Sequence, residues 1–249
     1  MEWTWIAAAA AALIIGIAKT SFGGLGSLAV ALLALALPTK ESTAAALLLL
    51  ITGDIIGVLR YRRSADWSLL KALLPSVVPG ILLGALFIQF VDDLVLRRSI
   101  GAILLVSVLL QLVLSTLARR RAPDPTVDDG PPHRALTVGA GVAAGFTTMA
   151  ANAAGPVMAV YLQLAKVEKM RFLGTSAWFY FIVNVAKTPL TFSLGLFTPQ
   201  VMLTVAWGIP VVLIGTVIGV ALIHRVPQRT FDVVTLLTSI IAAGALLII

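Results

Sequence analysis

Three ionisable side chains, Lys19, Asp54 and Lys187, fall inside apolar runs, where charge is costly enough to imply a use. Their sum is one net positive charge, a sign that suits an anion. Lys19 stands in Gly16-Ile17-Ala18-Lys19-Thr20-Ser21-Phe22-Gly23-Gly24-Leu25-Gly26-Ser27. Here Gly23, Gly24 and Gly26 permit tight turns and close approach, while Thr20 and Ser21 offer hydroxyl donors. A second stretch has matching parts: Thr147, Thr148 and Asn152 as donors, then Gly155-Pro156, with proline suited to the first position of an outgoing half-helix. Two broken helices presenting N-termini to one another would bind one small anion with unpaired N–H groups and positive dipole ends. Lys19 serves there as a substrate ligand or as the partner of Asp54. Lys187, in Asn184-Val185-Ala186-Lys187-Thr188-Pro189, either joins the site with Asn184 or snorkels outward; Pro189 frees carbonyls nearby. Asp54 balances a lysine, takes a proton in a cycle, or points to the inner interface.

The elements that would place these residues are transmembrane. The 249 residues are 59% hydrophobic and 12% charged, with a mean hydropathy of +1.03, which identifies an all-α polytopic membrane protein. The apolar run 6–37 would be roughly 48 Å long as one helix, against about 30 Å of hydrocarbon. It is too long for one straight span and too short for two, so a re-entrant hairpin broken at the glycines is expected, lined by protein or a watery cavity. Spans follow at 42–59, 67–91 and 99–118. The loop 119–134, rich in arginine, proline and aspartate, reads as a cytoplasmic hinge. The second half then repeats the order, with a re-entrant run at 136–164 and spans at 172–197, 201–223 and 231–249, so that 1–118 and 135–249 form two repeats.

Self-comparison supports the division. Gly16 and Gly26 match Gly145 and Gly155 at an offset of 129; Thr43 and Ala45 match Thr175 and Ala177 at 132; Pro75, Gly80, Gly84 and Val91 match Pro210, Gly215, Gly219 and Val226 at 135. Internal repeats of this kind mark transporter folds. Gly80-xxx-Gly84 and Gly215-xxx-Gly219 read as close helix packing. If the long runs crossed fully, the loops would carry eight basic residues on each side. With both re-entrant, one side holds thirteen and the other only Lys40, Arg97 and Arg98. The preference makes the repeats inverted, each a hairpin plus three spans, with both termini outside.

Several function classes drop out. No extramembrane stretch leaves room for a soluble catalytic domain, and the net charge of +7 lies in short loops, which favours lipid headgroups over nucleic acid. With no cysteine there is no disulfide or thiol chemistry; His133 and His224 are too isolated for a metal site, so no metal or cofactor is expected. Asp92-Asp93 resembles a magnesium-binding acidic pair of an intramembrane prenyl-transfer enzyme, although a solvated interface beside Arg97 and Arg98 is the simpler account. Trp3 and Trp5 look like interface anchors, with no removable signal peptide.

The whole chain resembles the sulfite exporter TauE/SafE family. The likeness rests on the glycine-rich first hairpin followed by Pro38-Thr39-Lys40-Glu41-Ser42-Thr43-Ala44, and on Gly174-Thr175-Ser176-Ala177 leading into Phe181-Ile182-Val183-Asn184-Val185-Ala186-Lys187-Thr188-Pro189. The resemblance implies a bacterial inner-membrane permease that moves sulfite, sulfoacetate or related sulfur anions outward. The second hairpin, Asn152-Ala153-Ala154-Gly155-Pro156, departs from the family's runs of consecutive glycine. The expectation is a secondary carrier for a small oxyanion, bound between the hairpin tips and exposed alternately. An anion channel on the same pore, or an enzyme using Asp92 and Asp93, are the alternatives. The expected partners are the anion and the lipid bilayer; a homodimer stays open.

Overall fold

A computed structural model describes residues 2–20, 26–120 and 133–222, together with Leu237, Ile240, Gly244, Leu246 and Leu247. Ser21, Gly23 and Gly24, most of the hinge, and most of the run 231–249 lie outside the described residues. Among those described, the regular elements are helices: α1 (Glu2–Thr20), α2 (Gly26–Ala36), α3 (Thr39–Tyr61), α4 (Trp67–Phe90), α5 (Asp93–Arg120), α6 (Arg134–Ala151), α7 (Gly155–Leu164), α8 (Lys169–Ser193) and α9 (Pro199–Leu222). Three stretches, Thr39–Ser64, Trp67–Phe90 and Pro199–Ala221, are long and apolar enough to cross a bilayer by length and composition.

Local chemistry sets the helix ends. Asp66 caps α4, accepting the N–H groups of Ser68 at 3.0 Å and Leu69 at 3.3 Å. Asp92 accepts the Val95 N–H at 2.7 Å, so α5 starts at Asp93, ahead of the apolar run that begins at Ser99. Asp93 in turn accepts the Thr39 N–H at 2.9 Å and anchors the start of α3. The acidic pair thus holds two helix ends. Asn152 ends α6 in the left-handed region at φ 50°, which asparagine tolerates, and α7 starts three residues on, at Gly155, with Pro156 in its first turn.

Packing crosses between the halves of the chain. A Cβ on Gly16 of α1 would lie 2.1 Å from the Val212 carbonyl oxygen of α9, and one on Gly215 would lie 2.3 Å from the Leu13 oxygen. A Cβ on Gly80 of α4 would meet the Val142 oxygen of α6 at 2.2 Å, and one on Gly145 the Val77 oxygen at 2.2 Å. Gly16 and Gly145 are one of the sequence-matched pairs; Gly80 and Gly215 are another. The same backbone-to-backbone contact is therefore made twice, each time between the opening helix of one half, α1 or α6, and a later helix of the other. Between these seams α3 lies against α8, where Gly57 leaves room for the Ala177 methyl.

Polarity is distributed as a bilayer demands. Val78, Leu82, Leu83, Leu86 and Phe90 of α4 and Leu213, Ile214 and Val217 of α9 are exposed, whereas Asp54, Thr148, Asn184 and Lys187 are buried. Apolar surface faces outward and the charged groups sit in the protein interior.

Candidate anion site

One helix organises the buried charge. Tyr180, Asn184 and Lys187 of α8 are spaced by four and three residues, so they share a helix face. Pro189 in the same helix supplies no N–H to the turn before it. Two hydroxyls cover nearby carbonyls instead: Thr188 Oγ1 donates to Asn184 O at 2.8 Å and Thr191 Oγ1 to Lys187 O at 3.1 Å.

The first half contributes an ion pair. Lys19, in the last turn of α1, places Nζ 2.5 Å from Asp54 Oδ1 of α3, and Asn184 Nδ2 donates to Asp54 Oδ2 at 2.6 Å. The Asp54 side chain is 1% exposed and that of Lys19 15%. Of the roles open to Lys19, partnership with Asp54 is the one formed here. Asp54 points to this pair rather than to an interface. Beneath it, a Cβ on Gly53 would lie 2.8 Å from Lys19 Cγ, so the glycine makes room for the lysine stem. The ammonium also lies 4.5 Å from the centroid of the Tyr180 ring, a cation–π contact.

The second half makes the corresponding contact with different chemistry. Position 148 stands 129 beyond position 19, the offset of the matched glycines, and Thr148 is likewise in the last turn of its half's opening helix, α6. Its partner is Lys187, which is 1% exposed and does not snorkel. Nζ donates to Thr148 O at 2.6 Å, Thr148 Oγ1 at 3.1 Å and Asn152 Oδ1 at 2.6 Å. An ammonium has three protons, so this set saturates it. All three acceptors are uncharged. The cation sits on the C-terminal turn of α6, where it shares the Thr148 carbonyl with the Asn152 N–H, itself 3.0 Å from that oxygen, and opposes the negative dipole end. Asn152 completes the bracket, donating Nδ2 to Thr43 O of α3 at 3.0 Å.

With Lys19 and Asp54 cancelling, the buried positive charge of this centre rests on Lys187. Beyond Asn152 the chain turns into α7, whose first-turn N–H groups at Gly155 and Val157 have no acceptor within the helix, while Pro156 has none to offer. A Cβ on Gly155 would lie 3.7 Å from Tyr180 Oη, so the phenol faces this helix start. Amide donors and one hydroxyl thus meet at the start of α7, and Lys187 is held at the end of α6 just before it; these are groups whose chemistry suits an oxyanion.

Not every expected residue joins. Thr147 Oγ1 donates back to Ala143 O at 2.8 Å within α6, which occupies its proton. Gly26 opens α2 with nothing within 4 Å of where a Cβ would stand, and Thr20 closes α1. Tyr180 was not singled out from sequence, although its spacing from Asn184 and Lys187 is a readable signal. Among the described residues no group of three or more metal-ligating side chains comes together.

Apolar helices packed through glycine seams around buried, mutually satisfied charges define a polytopic membrane protein with a polar centre. A model of the family described as Sulfite exporter TauE/SafE matches residues 8–246, nearly the whole chain, and the protein belongs to this family of membrane transporters. Neither the curated proteins nor the solved structures gave a match.

Proposed function

We propose that the protein is a secondary carrier for a small sulfur-containing oxyanion, such as sulfite or an organosulfonate, and that it works by alternating access. The observation that carries this reading is Lys187: a buried cation held by neutral oxygens at the break of α6, beside the open N-terminus of α7 and the Tyr180 hydroxyl. The anion would accept from the Gly155 and Val157 amides and from Tyr180 Oη, with the Lys187 charge setting the preference for negative ligands. The Lys19–Asp54 pair keeps the opposite side of the centre neutral.

The reciprocal seams, Gly16 with Gly215 and Gly80 with Gly145, support two inverted repeats, each a re-entrant hairpin and three spans. Each first-arm helix then moves with the other half, so rocking along the α3–α8 contact would expose the centre to either side. The bias of basic loops supports an inner-membrane orientation with both termini outside. For a monoanion an inside-negative potential favours efflux by about 2.3 kcal/mol per 100 mV, which supports export without a coupling ion.

Flux in reconstituted vesicles tests the proposal. Sulfite and sulfoacetate should cross saturably, faster when the same anion is loaded on the far side, and with a rate that follows an imposed potential. Flux unaffected by trans anion, at channel-like turnover, would replace the carrier with a pore; no flux of any sulfur oxyanion would reject the substrate class.

A further inference from the structure

A second polar concavity lies away from the buried centre, at the seam where the α3–α4 connection meets the start of α8. It is a cleft of about 370 Å³ lined by Arg63, Ser64, Asp66, Trp67, Met170 and Arg171. Its frame is fixed from both halves of the chain. A Cβ on Gly174 would lie 2.6 Å from the Ser64 carbonyl carbon, so the connection is seated directly on α8. Thr175 Oγ1 accepts the Asp66 N–H at 2.8 Å, Trp178 Nε1 donates to Arg62 O at 3.3 Å, and the Trp67 and Trp178 rings lie 5.1 Å apart.

Within this frame the charges are unequal. Asp66 Oδ1 is used by the start of α4, accepting the Ser68 hydroxyl at 2.5 Å besides the two amides. Arg171 reaches only Oδ2, at 3.8 Å, and its side chain is 64% exposed. The lining keeps one net positive charge, and two guanidinium forks with a serine hydroxyl beside them match the tetrahedral oxygens of a phosphate. Position along the fold narrows the source. The cleft sits where two bilayer-crossing candidates, Thr39–Ser64 and Trp67–Phe90, meet at their ends, and its lining includes the exposed Trp67 and Met170. Basic, aromatic and apolar groups together at a helix end are the pattern of the headgroup layer.

We propose that this cleft holds the phosphate of an anionic phospholipid, with Arg63 and Arg171 as its ligands from the two halves of the chain. A lipid seated there bridges the connection α3–α4 and the start of α8, so bilayer composition acts on the seam between the halves.

Native mass spectrometry of the full chain, released from micelles doped with phosphatidylglycerol or phosphatidylcholine, tests this. The protein should retain one phosphatidylglycerol in preference to phosphatidylcholine. Arg63→Gln with Arg171→Gln should weaken retention about thirtyfold, from two basic contacts at the headgroup layer. Arg60→Gln with Lys71→Gln removes the same charge from exposed positions outside the cleft and should leave retention intact. Equal loss in both double variants would overturn the site in favour of diffuse charge, and equal retention of the two lipids would overturn the ligand. If inorganic phosphate binds alone and displaces the lipid, the cleft is a site for the free ion instead. Melting of each variant in detergent confirms that it is folded.

Discussion

Removing the Lys19 ammonium and removing the Asp54 carboxylate should have unequal costs, and the inequality follows from burial. Lys19→Met leaves Asp54, 1% exposed, with Asn184 alone. Stranding one member of a buried pair costs about 3–5 kcal/mol. At about 2–4 °C per kcal/mol for a chain of this size, melting should fall by roughly 6–20 °C. Asp54→Asn is milder, because Lys19 is 15% exposed and keeps the face of Tyr180 at 4.5 Å. With a cation–π contact retained and a stem able to reach water, about 1–2 kcal/mol is expected. The double variant carries no stranded charge, and its asparagine still accepts from Asn184. It should return to within about 1 kcal/mol of the parent, the scale of one hydrogen bond. Thermal melting of the four proteins in one detergent gives the cycle directly. If Asp54→Asn proves the worse single change, or if the double variant falls by the sum of the singles, the pair is not the buried, mutually neutralising unit described here.

The seam glycines allow a sharper contrast. Gly16→Ala and Gly80→Ala put a methyl 2.1 and 2.2 Å from backbone oxygens of α9 and α6, so each should lower melting by the equivalent of about 1–3 kcal/mol or more, while Gly139→Ala, with open space around it, should be neutral. Tyr180→Phe keeps the ring over Lys19 but removes Oη; the protein should melt as the parent does, and sulfur-oxyanion binding, read by ligand-dependent melting, should weaken about five- to fifteenfold. The Ser68 hydroxyl, followed by the Leu69 and Ser68 amides and Arg171, holds the Asp66 carboxyl below its usual value despite partial burial. A carboxylate depressed in the folded state stabilises above its unfolded value and loses that contribution as acid titrates it. The cap should therefore be intact above about pH 4 and fail below it, and Asp66→Ala, which costs about 0.5–2 kcal/mol at neutral pH, should show no such loss.

Buried charge was the most legible part of the sequence. Lys19, Asp54 and Lys187 stood out because hydrocarbon penalises them, and the glycine matches at an offset of 129 relate the two stretches that hold positions 19 and 148. What no offset could tell is that these positions are filled differently, by a lysine–aspartate pair in one half and a threonine–lysine bracket in the other. That choice depends on which helices face each other, a property of packing. Thr147 and Thr148 illustrate the same limit: adjacent residues of one type, of which one bonds its own helix and the other accepts from Lys187. Tyr180 was hidden for another reason, since an aromatic in an apolar run reads as core until its hydroxyl has a direction. The acidic pair Asp92-Asp93 became intelligible only once Asp93 met the Thr39 amide, 54 residues away in the chain.

The crossed seams impose an order on the making of the protein. α4 and α6 can close on each other while the later helices are still being synthesised. α1 must wait for α9, because the surface that fits Gly16 is carried by Val212 and Gly215. Until that stretch enters the bilayer, the Gly16 face of the earliest helix has no matching groove, although α1 already packs on α2 and α3. A chain divided within the hinge and supplied as two pieces contains a partner for each seam only in the other piece, so neither fragment can close its seam by itself, and recovery of the whole measures their meeting.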